Sequence, residues 1–376
     1  MHILHLYKDY YPVLGGIENH IRLLAEAQVR RQHQVTVLVT NRGRATVEEN
    51  LNGVRVIKAG RLATVASTPL SPALPGILQA QRPDIIHLQA PYPIGEIAYW
   101  LAARKRPYIV SYQADINRLS QRLIMLAYGP LFISIMRNAA AVLATSPNFA
   151  AHSPYLRQVA DRIVIVPLGI DTDRFSPRPA AGPVPGAAPA LLFVGQLRHY
   201  KGVDDLLHAL ALIPAPDRPR LLVSGNGPMR GPWEALSQTL NLRAFVSFLG
   251  NVPDMDLPDL YRSADIFVLP STSRAESFGM ALVEAMASGL PCITTEIGSG
   301  NTYVVQDNLS GLVVAPREPA ALAQAITRLV KDPALRAQLG RAGRQRALRE
   351  FAVDAMVQRV EEVYSRAVAR MPASKR

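Results

Sequence analysis

A chain of 376 residues, 49% of them hydrophobic, can build two cores of ordinary domain size, and its single cysteine excludes an internal disulfide framework. Lysine and arginine number 41 against 29 acidic residues, a net charge of +12 that admits nucleic acid, an anionic membrane face or phosphate-bearing ligands. The sequence holds no zinc-ligand spacing, no aromatic RNA-binding strand motif and no helix-turn-helix, which sets nucleic acid aside, and no run of about 20 apolar residues that could span a bilayer.

The N-terminus becomes a strand pattern at once, and its apolar run meets Lys8 and Asp9 too early to form a signal-peptide core. With one cysteine suited to a reducing compartment, the expected location is cytoplasmic, at the inner face of the cell membrane. Much of the basic excess is expected on solvated helix faces such as Arg336 to Arg349, which carries five arginines.

Short buried strands are predicted at Ile3–Tyr7, Val35–Thr40, Val54–Lys58, Ile85–Leu88, Tyr108–Tyr112, Ala141–Thr145 and Ile163–Val166, with helical patterns such as Ile17–Arg31 between several of them. That alternation implies a parallel sheet covered on both faces. After the first strand, Gly15-Gly16 opens a helix whose apolar positions are 17, 21, 24 and 25. The two glycines let a ligand approach the backbone, with helix N–H groups behind them. His2, His5 and His87 fall within strand patterns and read as core or edge residues.

Ser111-Tyr-Gln113-Ala-Asp115 ends another strand of this half, at the sheet edge where ligands collect in doubly wound folds. Beyond it, Leu123 to Met136 is uncharged and flanked by Arg122 and Arg137. It is too short to span a bilayer. It reads either as an interfacial segment meeting anionic lipid through 119–137, or as two core helices broken at Gly129-Pro130.

Five prolines and two glycines between Pro177 and Pro189 mark a linker, and residues 171–190 are assigned to it. The alternation then restarts at Leu191–Val194, Leu221–Ser224, Phe245–Leu249, Ile266–Leu269, Cys292–Thr295 and Leu312–Val314. Asp171-Thr-Asp173 and Asp254-Met-Asp256 both match the Asp-x-Asp spacing of metal sites; a pattern this common carries little weight, and no metal is expected.

Within this half, Val194-Gly195-Gln196-Leu197-Arg198-His-Tyr-Lys201-Gly202 runs into a helix with Asp204 and Asp205 in its first turn. Gly225-Asn226-Gly227-Pro228 and Gly250-Asn251-Val252-Pro253 follow the next two strands, as ligand loops or as ordinary turns. Arg274-Ala-Glu276-Ser277-Phe278-Gly279-Met280-Ala-Leu-Val-Glu284-Ala-Met-Ala-Ser-Gly289-Leu-Pro291 then leads a loop into a short helix. Leu282, Ala285, Met286 and Gly289 form its buried stripe, and Gly289 with Pro291 stops it. The helix start offers N–H groups to a phosphate. Glu276 and Glu284 can each accept two hydroxyl groups. A sugar and a ribose joined by a diphosphate would satisfy all three features.

Taken together, Glu-x7-Glu around Phe-Gly, the Lys201-Gly202 segment, the Leu168–Phe175 hinge segment and the Gly15-Gly16 loop resemble the family-4 retaining glycosyltransferases of the GT-B fold, over nearly the whole chain. The resemblance implies an α/β architecture of two doubly wound Rossmann-like domains facing a central cleft. It divides the chain into an acceptor domain over 1–170, a donor domain over 191–352, and a C-terminal helix over 353–376 that crosses back to the first domain. It implies a metal-independent hexosyl transfer, without a cofactor, from a nucleoside-diphosphate sugar to a hydroxyl of a glycan or lipid-linked acceptor. The general look of the relatives leans to GDP-mannose, with UDP-hexose open.

By the same resemblance, Glu284 binds the ribose and Glu276 the sugar. Lys201, the amides of Ser277, Phe278, Gly279 and Met280, and Gly15 and Gly16 meet the diphosphate, while Gly225, Asn226, Asn251 and Val252 lie around the nucleotide. Two positions depart from the pattern. Gln196 stands where relatives carry an arginine, so Arg198 is expected to supply the charge. Gln113 stands where relatives carry a histidine beside the donor sugar. Glutamine does not titrate near neutrality, which leaves the leaving phosphate, or Asp115, to accept the acceptor's proton. A nucleotide-sugar epimerase and a silent nucleotide-sugar-binding subunit are the alternatives.

Overall fold

A computed structural model describes residues 1–13, 15–65, 68–113, 115, 119–178 and 189–369, without the side chains of 119–127. The chain divides into two compact units: Met1–Gly169 with Val353–Arg376, and Ile170–Ala352.

The first unit carries β1 (His2–Leu6), β2 (Gln34–Thr40), β3 (Val47–Leu51), β4 (Val54–Ala59), β5 (Ala63–Val65), β6 (Thr68–Leu70), β7 (Ile85–Ala90), β8 (Tyr108–Tyr112), β9 (Val142–Ala144) and β10 (Ile163–Ile165). Eight of them form one sheet in the order β10-β9-β8-β7-β1-β2-β4-β3, while β5 and β6 pair separately. All pairings in the main sheet are parallel except β3 on β4 at the edge. The interior strands are buried on both faces, which explains their continuous apolar runs. Edge strand β3, Val-Glu-Glu-Asn-Leu, is mostly polar and exposed and has no such run to betray it.

One face of this sheet receives the terminal helix Val353–Ala369. Val353, Met356, Val357, Val360, Val363, Tyr364 and Ala367, at helical spacing, close a core with Ile3, Leu24, Ile85, Ile109 and Val166. Burial of each large apolar side chain contributes roughly 1.5–3 kcal/mol. Glu361 secures the helix from outside, taking Arg31 at 3.0 Å and His33 at 3.1 Å.

His5 and His87 are core residues and His2 is half-buried, as expected of the strand histidines, and His20 of the first helix is buried with them. His5 Nε2–H donates to Gln28 Oε1 at 2.8 Å. Tyr364 O–H, itself receiving Gln28 Nε2–H at 3.4 Å, donates to His87 Nδ1 at 2.7 Å, and His87 Nε2–H reaches Ser111 Oγ at 2.7 Å. An acceptor Nδ1 on His87 requires a neutral imidazole. Burial pulls His5 down to about 4 and His20 to about 3, and holds His87 well below its ordinary range.

The uncharged run 123–136 lies in a single helix, Leu119–Asn138, that passes through Pro130 without the break predicted there. Tyr128, Phe132, Ile135 and Met136 turn inward, with Phe132 against Tyr112 and Tyr155. These four side chains are committed to the core and withdrawn from any lipid contact.

The second unit is a six-stranded parallel sheet, β11 (Ala190–Val194), β12 (Arg220–Ser224), β13 (Val246–Gly250), β14 (Ile266–Leu269), β15 (Cys292–Thr295) and β16 (Gly311–Val314), in the order β13-β12-β11-β14-β15-β16. Residues 171–178 are not linker. Phe175 is buried with its ring edge-on to Tyr261, and Arg344 binds the carbonyls of Thr172 and Phe175. The rest of the proline-rich stretch, 179–188, lies outside the described residues.

Nor is Arg336–Arg349 simply a solvated face. Arg344 also takes the carbonyl of Ala287, Arg346 those of Tyr303 and Val304, and Arg336 those of Leu329 and Val330. Each guanidinium meets carbonyls at a helix C-terminus, where backbone acceptors lack intrahelical partners.

Candidate active site

In the second unit the segment after β11 bends back on itself. Gly195 has a positive φ of 158°, and a Cβ there would lie 3.3 Å from Lys201 Nζ. A 3-10 turn, His199–Lys201, ends at left-handed Gly202, which starts the helix Val203–Leu212. This path buries Lys201 and aims its ammonium at Glu276, with Nζ 2.5 Å from Oε2. Burial pulls the Lys201 pKa down, but the Glu276 carboxylate and Tyr200 outweigh it and hold it above its ordinary value. Ser271 Oγ also donates to Glu276 Oε2, at 3.4 Å.

Ser277, buried Phe278 and Gly279 lead from Glu276 into the helix Met280–Ala287. Gly279 is left-handed, with φ 82°, and no side chain caps the helix start. Its first amides therefore lack intrahelical acceptors and suit an anion. About one turn on, Glu284 Oε2 accepts the Tyr261 hydroxyl at 2.6 Å. Burial raises Glu284 to about 7, with Asp254 adding to the rise and Tyr261, Arg174 and Lys201 opposing it. No sequence signal marks Tyr261, because its hydroxyl reaches Glu284 only once the helix Leu257–Arg262 has packed.

Gln196 and Arg198 are exposed and bonded to one another, Arg198 Nε donating to Gln196 Oε1 at 2.9 Å. The glutamine thus orients the neighbouring guanidinium. Gly225 and Gly227 have a packing reason: a Cβ on Gly225 would lie 2.0 Å from the Gly195 carbonyl oxygen, and one on Gly227 2.5 Å from that of Leu197. Asn226 receives the Leu197 N–H on its backbone carbonyl at 2.9 Å. Asn251 is exposed and Val252 half-buried in the turn after β13. Asp171 Oδ1 accepts from the backbone of Asp173 and Arg174, closing its own turn. Among the described residues no group of three His, Cys, Asp or Glu could hold a metal ion.

In the first unit the helix Gly16–Arg30 begins at Gly15. A Cβ on Gly15 would lie 2.2 Å from Glu18 Oε2, so the Glu18 carboxylate already fills that side of the helix start. Gly16 faces open space, with nothing within 4 Å of a Cβ built on it. Gly16 therefore stays in reach of a ligand, whereas Gly15 serves Glu18. At the end of β8, Gln113 is buried and donates to Gln89 Oε1 at 3.3 Å. Asp115 accepts from Tyr112 O–H at 3.1 Å and from Ser153 Oγ–H at 2.6 Å, the bonding of a structural cap.

Two α/β units, each built on a largely parallel sheet, are the architecture of the GT-B fold. The comparisons agree: a family model described as Glycosyl transferases group 1 matches residues 179–346, and one described as Glycosyltransferase Family 4 matches 14–174. The O-antigen chain mannosyltransferase C of Escherichia coli is 32% identical, over 97% of this chain and 98% of its own. The D-rhamnosyltransferase WbpZ of Pseudomonas aeruginosa is 33% identical, over 91% and 90%. A sucrose-phosphate synthase from Thermosynechococcus elongatus shares the fold at TM-score 0.77 and 24% identity, covering 98% of this chain and all (100%) of its own. The chain belongs to the family-4, group 1 glycosyltransferases and is an enzyme, a glycosyltransferase.

Proposed function

We propose that this enzyme is a retaining, metal-independent hexosyltransferase acting on a glycan or lipid-linked hydroxyl acceptor. The observation that carries the reading is the Lys201–Glu276 pair beside the Gly279 helix start, with Glu284 about one turn on. The ammonium and the helix amides grip the diphosphate, Glu276 takes sugar hydroxyls and Glu284 the ribose diol. Arg198, oriented by Gln196, adds charge at the diphosphate.

GDP-mannose is the favoured donor, supported by the mannosyltransferase named among the relatives. With glutamine at 113, the departing phosphate accepts the proton of the incoming hydroxyl as the new bond forms on the same face of the sugar. Preorganised positive charge at that phosphate is the main catalytic contribution. Contact with an anionic membrane at the cytoplasmic face, through 119–137 apart from the buried Tyr128, Phe132, Ile135 and Met136, rests on the net charge of +12.

The test begins with thermal shifts against GDP-mannose and UDP-hexoses, where a ligand at 100 times its Kd adds about 2.7 kcal/mol. Transfer to a mannoside is then followed by NMR of the product anomer, with and without chelator. An inverted anomer or loss of transfer on chelation overturns the mechanism, and sugar isomerisation without acceptor replaces it with epimerisation.

A further inference from the structure

Gln89 is the penultimate residue of β7, with only 1% of its surface exposed, and its Nε2 has no hydrogen-bond partner among the described residues. A buried amide N–H without an acceptor is rare in folded proteins. His87 and Gln89 share one face of β7, opposite Ile109 and Ser111 of β8, and Gln113 follows one residue past the end of β8. His87 bonds diagonally to Ser111, and Tyr364 holds His87 from the terminal helix. Gln113 Nε2 donates to Gln89 Oε1 to make a second diagonal rung above it. That rung lies at the carboxyl edge of the sheet, where doubly wound folds receive their ligands.

The geometry points to Gln89 as a second sugar-binding amide that acts jointly with Gln113. With one bond between them, the two side chains present one NH2 and one carbonyl, and flipping both amides leaves the same pair of groups. A hydroxyl group, which both donates and accepts, matches that pair. A phosphate or a carboxylate would fill only the donor. The rung is neutral and stays so across the physiological pH range. The ligand is a hexose hydroxyl, from the donor sugar or from the acceptor; the inference rests on the glycosyltransferase reading of Gln113.

The test uses the full-length chain with Gln89→Met, which keeps side-chain length and removes the amide. KM is measured for GDP-mannose, for UDP-glucose and for an oligomannoside acceptor, and calorimetry gives the Kd for GDP and UDP. Loss of one neutral hydrogen bond should raise one sugar KM roughly tenfold and leave nucleoside-diphosphate affinity unchanged. A rise for the nucleotide sugar assigns the donor hydroxyl, and a rise for the oligomannoside assigns the acceptor. All three KM values within twofold of native, in a protein with native melting, overturn the proposal.

Gln89→Glu keeps an acceptor for Gln113 Nε2 and serves if Gln89→Met does not fold; the same rise is expected. A crystal structure with nucleotide sugar or oligomannoside decides independently: a sugar oxygen on either amide supports the assignment, and a water alone overturns it. Failure of native protein to bind either GDP or UDP would count instead against the nucleotide-sugar site of the second unit.

Discussion

Lys201 Nζ stands 2.5 Å from Glu276 Oε2, joining two residues 75 positions apart in a pair whose side chains are 11% and 12% exposed. Each is the other's main electrostatic partner in the ligand-free protein. A diphosphate arriving at Lys201 and a hydroxyl arriving at Glu276 would take over these roles without leaving either charge bare.

Removing one partner should therefore cost stability as well as activity. Lys201→Met or Glu276→Gln alone leaves the other group buried and uncompensated, at about 3–5 kcal/mol for a fully buried pair and less for this slightly exposed one. The double variant should be more stable than the sum of the two single losses implies, as read by a urea double-mutant cycle. Turnover of Lys201→Met should fall about 100- to 1000-fold.

Glu284 should make nucleotide affinity depend on pH. Burial raises its pKa to about 7, so it is largely protonated at pH 6 and ionised at pH 8. Only the carboxylate can accept both ribose hydroxyls, so GDP affinity should rise across that interval. Glu284→Gln should flatten the profile to the part due to phosphate ionisation. Calorimetry at three pH values checks this, and an equal slope in native and variant protein would remove Glu284 from the ribose site.

The buried histidines should make the first unit acid-labile. His5 and His20 have folded pKa values of about 4 and 3, below their ordinary 6.5, so the unfolded chain binds more protons between those limits. Stability is highest above about 6.5 for these groups and falls as pH drops towards 4. Glu96 and Glu284 act in the opposite direction. Both are raised from 4.5 to about 7, so their contribution is complete at acid pH and is lost as pH rises through 7. Urea midpoints should peak near neutrality, and Tyr364→Phe should lower the unfolding free energy by about 1–3 kcal/mol by leaving His87 Nδ1 without its donor.

Gly15 and Gly16 should separate structure from ligand contact. Gly15→Ala pushes the end of the flexible Glu18 side chain aside and should lower melting only slightly, whereas Gly16→Ala meets nothing and should melt as the native protein does. If Gly16 approaches the donor, its variant should still lose affinity for GDP-mannose in the same thermal-shift assay.

The departures from expectation have a common origin. Strand after strand was legible because interior parallel strands are buried on both faces and read as apolar runs, as in Ile266–Leu269. Edge strand β3, polar and half-exposed, carries no such pattern. Arg344 and Arg346 looked like solvent-facing charge because a sequence does not say which helix end an arginine will meet. The linker assignment reached too far back, because Phe175 finds its place only against Tyr261.

By itself the sequence determined the two alternating α/β halves, the Gly-Gly turn, the Lys-Gly segment and the spacing of Glu276 and Glu284 along one loop and helix. Those are local properties, set by side-chain periodicity and backbone freedom. Tertiary structure alone decided that Lys201 meets Glu276, that Tyr261 caps Glu284, and that Tyr364 reaches His87 across 277 residues. Such pairings are made by strands and helices distant in the chain, and their hydrogen bonds and shifted pKa values exist only once the core has excluded water.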